Sequence, residues 1–184
     1  GYEPDWQGWM GHYLTVYGYD TSAETFTSLD SFLGPWDNSG RIDSAAELDG
    51  YWSQFNRTFI VVAAPEQAQE VADIVGGLDG EKGWISAEID AKASIETDPT
   101  NPFHWHNLGV AQFHQWQTSR NPIQLDQAIA AFDEARRAGL PPRMLWYQFD
   151  LYEVYLAGDR IDDVLTLTQT ILDATGGDHV EETF

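Results

Sequence analysis

At Pro65 the hydrophobic pattern of the chain changes its period, and no single regular architecture accommodates both sides. Upstream, apolar and aromatic residues crowd into short runs rich in β-branched side chains and bounded by turn residues. Downstream, they recur near every third or fourth place between Pro and Gly punctuation, the spacing of amphipathic helices. The expected fold class is therefore α+β. A small antiparallel β region should occupy residues 1–64 and an all-α helical array 65–175, with a frayed acidic tail at 176–184.

Within the β region, "HYLTVYGYD" (12–20) reads as a strand, "TSAE" as a turn and "TFTSLDS" (25–31) as a second strand, together a hairpin. "GPWDNSGRID" (34–43) is loop chemistry, and "SAAELDGYWSQF" (44–55) is a short helix opened by a serine cap. "RTFIVVAA" (57–64) is an apolar run expected at the centre of a sheet. Asn56-Arg57-Thr58 fits a glycosylation sequon, for which chance is the preferred reading beside a buried strand. In the helical region, "PEQAQEVADIVGGL" and "KGWISAEIDAKASIETDP" read as helices. Further ones are expected over about 102–118, 123–138, 142–157 and 160–174.

Composition narrows the chemistry. The chain has 184 residues, 42% of them apolar, which suffices for one or two domains with real cores. No apolar run approaches membrane-spanning length. The chain opens on Gly1 without a signal-peptide pattern, which suggests a processed chain or a fragment. Thirty acidic residues against nine basic ones give a net charge of −21. Such a surface repels phosphates, so neither nucleic acid nor an anionic membrane is an expected partner, whereas cationic partners are favoured. Solvated helix faces and adaptation to salt both account for the acidity. Cysteine is absent, which excludes disulfides, thiolate metal sites and a cysteine nucleophile within these residues.

Candidate metal ligands fail on spacing. His104 and His106 point to different faces of one helix, and His106 and His114 lie about 12 Å apart along its axis. Asp159, Asp162 and Asp163 crowd a helix start, where they complement the helix dipole. In "DNSGRID", Arg41 stands where a calcium loop requires an oxygen ligand. The tail residues Asp178, His179 and Glu181 read as a mobile acidic end. No metal site and no cofactor are expected.

In the helical region, "DPTNPFHWHNLGVAQF" and "LDQAIAAFDEARRAGLPP" resemble the tetratricopeptide repeat. Trp105, Leu108 and Gly109 match its first helix, and Ala128, Phe132 and Ala135 its second. About seven extra residues around "TSRNPIQ" should lengthen the turn between them. Trp146 and Phe149 begin a weaker copy, with Asp150 where a small residue is usual. Trp84, Ala87 and Pro99 fit the second half of a preceding one. The resemblance implies a short solenoid that binds peptides or proteins, with Trp105 and Trp146 as candidate binding residues. The alternative is that the helices only support the β half.

The first 63 residues resemble the C-terminal part of papain-like cysteine peptidases related to bacteriocin-leader peptidases, through "GHYLTVYGYD", "SLDSFLG" and "FNRTFIVV". In that family a histidine opens a strand running into Gly-Tyr-Asp, and an aspartate or asparagine follows on the next strand. The resemblance assigns these roles to His12, as base, and Asp30, as its orienter. The family's cysteine and an upstream glutamine lie in a preceding helical half that finds no counterpart here. Ser28 and Ser31 flank the acid on its own strand and are poor substitutes. Trp6, Trp9 and Trp36 line the cleft on one reading; on the preferred one they cover the apolar sheet that the missing half would occupy.

Two functions follow. One is a non-catalytic protein-binding or assembly module with a protein or peptide partner, which includes a second polypeptide carrying the missing half-domain, and with homo- or hetero-oligomers open to it. The other is the C-terminal part of a cysteine peptidase, exported rather than cytoplasmic, whose nucleophile lies outside these residues.

Overall fold

The computed structural model describes residues 9, 11–32, 34, 37, 39–76 and 80–174. The chain divides into two compact units, Gly1–Arg57 and Thr58–Phe184. The division falls seven residues before the one expected at 64/65, so the "TFIVVAA" run goes with the helices.

In the first unit, β1 (Thr15–Asp20), β2 (Thr25–Leu29) and β3 (Arg41–Ser44) form an antiparallel sheet in the order β1-β2-β3. The hairpin turn is closed by Asp20, whose Oδ1 accepts from Ser22 N at 2.8 Å and Ala23 N at 3.1 Å. This is the side-chain mimic of a turn that aspartate supplies. A bulge between Val16 and Gly18 shifts the register of β1 against β2. Ser44 ends β3 and caps α1 (Ala45–Trp52). Its hydroxyl accepts from Glu47 N while the Glu47 carboxylate returns to the Ser44 amide, a reciprocal capping box. A 3₁₀ turn at Ser53–Phe55 follows, and Arg57 grips Asp49 through two nitrogens.

Two expectations for this stretch need correction. Residues 34–43 were expected as loop alone, yet Arg41, Ile42 and Asp43 belong to β3. Pairing with Ser28, Thr27 and Phe26 holds them there, together with a 2.6 Å bond from Arg41 Nε to Asp43 Oδ1. The run at 57–64 was expected inside a sheet. It joins no strand among the described residues, and Ile60 and Val62 are 75% and 93% exposed. β-propensity is a preference for a pleated, half-buried surface, and without a neighbouring strand it produces no strand.

The second unit begins with a 3₁₀ turn at Pro65–Gln67 and α2 (Ala68–Ile74). Four longer or well-packed helices follow in α3 (Gly80–Thr97), α4 (Pro102–Ser119), α5 (Pro122–Arg137) and α6 (Asp150–Ala157), then α7 (Ile161–Ala174). α3 packs on α4, α4 on α5, both α4 and α5 on α6, and α6 on α7. The turn between α4 and α5 is only Arg120 and Asn121. Arg120 takes a left-handed conformation at φ 57°, and the Asn121 side chain accepts from Ile123 N ahead of Pro122. The longer turn expected around "TSRNPIQ" is therefore not formed, since α4 runs to Ser119 and α5 opens at Pro122. The helix expected over 142–157 is broken. Pro142–Trp146 is a 3₁₀ turn that buries Met144 and Leu145, and α6 starts afresh at Asp150.

The core of this unit holds Phe113, Phe132, Leu151, Val154 and Tyr155. Gly109 of α4 lies against the Phe132 ring, where a Cβ would come within 2.9 Å of it. Ala128, Phe132 and Ala135 are fully buried on the facing side of α5. A polar network closes the other end. Tyr155 donates to Asp133 at 2.6 Å, Arg160 bonds Asp133 and Asp163, and Arg136 bonds Asp163. Asp163 was expected to serve the α7 dipole; the two arginines also pair with it and lower its pKa.

Candidate functional site, a histidine–aspartate pair

His12 lies in the segment that leads into β1, and Asp30 directly follows β2. Both therefore sit at the open end of the hairpin, away from its turn. Antiparallel pairing of Thr15 with Leu29 brings the two segments side by side. The result is a contact of 3.0 Å between His12 Nε2 and Asp30 Oδ2 across 18 residues of sequence.

The Asp30 side chain is 1% exposed and that of His12 is 24% exposed. A buried carboxylate requires partners, and Asp30 has them on both oxygens: Oδ2 takes the imidazole, and Oδ1 accepts from Phe32 N at 2.8 Å. The second bond is the Asx turn encoded by "DSF". The Asp30 carbonyl accepts from Gly34 N at 3.1 Å, which tightens the same turn. The Phe32 ring lies 5.9 Å from the imidazole at a tilt of 55°. Arg41 also bears on the acid. Its bond to Asp43, and secondarily the fields of Asp43 and Asp30, raise its pKa. Phe32 was not singled out in the sequence, and Arg41 was read there only as the residue that spoils a calcium loop, not as a neighbour of the acid.

With Nε2 donating to the carboxylate, Nδ1 carries the free lone pair. Among the described residues it has no hydrogen-bond partner. The pair can thus accept a proton at Nδ1 and stabilise the resulting imidazolium through Asp30. No cysteine exists in the chain to be activated. Ser28 is 1% exposed, and its hydroxyl meets no hydrogen-bond partner among the described residues. It lies two residues before Asp30, on the same face of the sheet.

The tryptophans are placed differently. Trp9 is buried, donates from Nε1 to Gln54 Oε1 at 2.7 Å and packs against Phe55, both in the 3₁₀ turn after α1. Trp6 and Trp36 lie outside the described residues, as do the tail residues Asp178, His179 and Glu181. Trp105 is half-buried beside Leu108 and donates to the Pro99 carbonyl at 2.9 Å. Trp146 packs on the helical core with the Arg143 guanidinium 4.8 Å from its ring centroid. His104 bonds the Asp98 carbonyl, His106 meets Phe132, and His114 stacks on Trp84. Among the described residues no three histidine or acidic groups converge on a metal position, and no helix is long and apolar enough to cross a membrane. Comparison of the chain with protein-family models, curated proteins and solved structures found no match.

Proposed function

We propose that the first unit is the acid–base half of a papain-like cysteine peptidase domain. His12 is the general base, Asp30 fixes its orientation, and the nucleophilic cysteine comes from polypeptide outside these 184 residues. The observation that carries the reading is the 3.0 Å pair with its carboxylate held on both oxygens. Such preorganisation is what a proton-transfer pair requires. The substrate class is polypeptide, and the helices act as a tetratricopeptide-like scaffold that binds the substrate or a companion protein.

A second reading, a binding or assembly module without catalysis, draws on the apolar surface of the first unit. Tyr13 and Tyr19 are 77% and 74% exposed, a surface that suits cover by another polypeptide.

The test uses protein isolated from its native source. Native and denaturing mass spectrometry identify every polypeptide present, and peptide hydrolysis is assayed before and after thiol alkylation. The expected result is a cysteine-bearing polypeptide, continuous with the chain or associated with it, and hydrolysis abolished by both alkylation and His12→Ala. Hydrolysis that survives His12→Ala, or a preparation without cysteine, overturns the peptidase reading and leaves the assembly module.

A further inference from the structure

His106 lies in the interior of the helical unit, 1% exposed, with its ring edge-on to Phe132 at 5.4 Å. Among the described residues neither ring nitrogen makes a well-formed hydrogen bond, and the Asn107 side chain is only a weak polar neighbour. A neutral imidazole in such a place leaves one donor and one acceptor unsatisfied. An imidazolium would bring two donors and a full charge into the same apolar contact, at far greater cost.

The surroundings offer that charge little relief. α5 presents the Phe132 ring. From α6 the field of Asp150 reaches His106, but this carboxylate already faces His114, with Nε2 3.6 Å from Oδ2. α3 carries Glu88 and Lys92, which pair at 2.7 Å, and Glu88 also holds Gln115. Asn107 follows on α4 itself. Burial outweighs the opposing effects of Asp150 and Asn107 and pushes His106 down to about 4.

We propose that His106 is an acid-sensitive latch of the helical unit, in which a proton taken from solvent by its imidazole unseats α4 from α5. The latch is independent of the peptidase reading, since it involves neither His12 nor Asp30. Its direction follows from linkage. The unfolded chain binds a proton at the ordinary histidine pKa of about 6.5, before the folded chain does. The stabilisation is complete above that value, declines as pH falls and is gone below about 4. Between pH 7 and pH 5 the folding equilibrium constant should drop about 20-fold from this group alone, with most carboxylates still ionised.

The experiment is urea unfolding of the full chain at pH 7, 6 and 5, for wild type and His106→Phe. From pH 7 to pH 5 wild type should lose about 20-fold more in its folding constant than the variant, because every other titrating group is common to both. Equal pH dependence in both overturns the proposal. Hydrogen exchange at pH 5 locates the effect: residues 102–137 should exchange faster in wild type than in the variant, and residues 15–44 equally in both. Should His106→Phe fail to fold, imidazole NMR on the wild type decides. A His106 signal that stays neutral down to pH 5 supports the latch, and one that titrates near 6.5 in the folded chain overturns it.

Discussion

The carboxylate of Asp30 holds the His12 imidazole at 3.0 Å through one oxygen and the Phe32 amide at 2.8 Å through the other. Removing the acid therefore loosens the ring and opens the turn together. Asp30→Ala should cost the first unit about 1–3 kcal/mol, because the Phe32 amide loses its buried acceptor. Long-range proton–nitrogen spectra at alkaline pH should show the Nε2–H tautomer of His12 in wild type and a tautomer mixture in the variant. A mixture already present in wild type would count against the pair.

Gly109 is required by its neighbour. A methyl group there meets the Phe132 ring at 2.9 Å inside a packed core. Gly109→Ala gains about 1 kcal/mol of helix propensity but overpacks, with a net loss of about 1–2 kcal/mol expected. Phe132→Leu in the same chain should recover part of that loss, which paired urea midpoints would reveal.

Tyr155 keeps its proton because burial raises its pKa to about 12, with the bond from Arg136 opposing. Its folded value lies above the ordinary tyrosine value of about 10, so the stabilisation is present below pH 10 and is lost as pH rises through 12. Tyr155→Phe should therefore flatten the alkaline limb of the stability profile, measured by thermal unfolding between pH 8 and 11. At pH 7 the missing bond to Asp133 should cost about 1 kcal/mol.

Ser44 closes β3 and opens α1 with the same residue. Ser44→Ala should cost about 1 kcal/mol through loss of the cap, while Ser44→Asp, which restores an acceptor, should cost less. Denaturant midpoints separate the two.

Val62 is 93% exposed, so its replacement by a polar residue removes no buried contact. Val62→Lys should shift stability by less than about 0.5 kcal/mol. A loss of several kcal/mol would mean that the run is packed in solution.

What the sequence by itself determined were the features carried by local chemistry. Turn residues bracketed the β1–β2 hairpin, and Ser44 marked a helix start. The pairing of His12 with Asp30 was legible for a related reason. A tight hairpin fixes which residues meet at its open end, so a sequence separation becomes a distance. Only the tertiary structure decided the rest. Arg41–Ser44 became a strand because β2 had a free edge to pair with, and Ile60–Val62 did not because no described strand lies beside it. The helix expected over 142–157 broke at Tyr147–Phe149 without a glycine or proline there, with Met144 and Leu145 buried just before the break. Strand pairing and core burial depend on partners distant in the chain, and those partners are set by the fold as a whole.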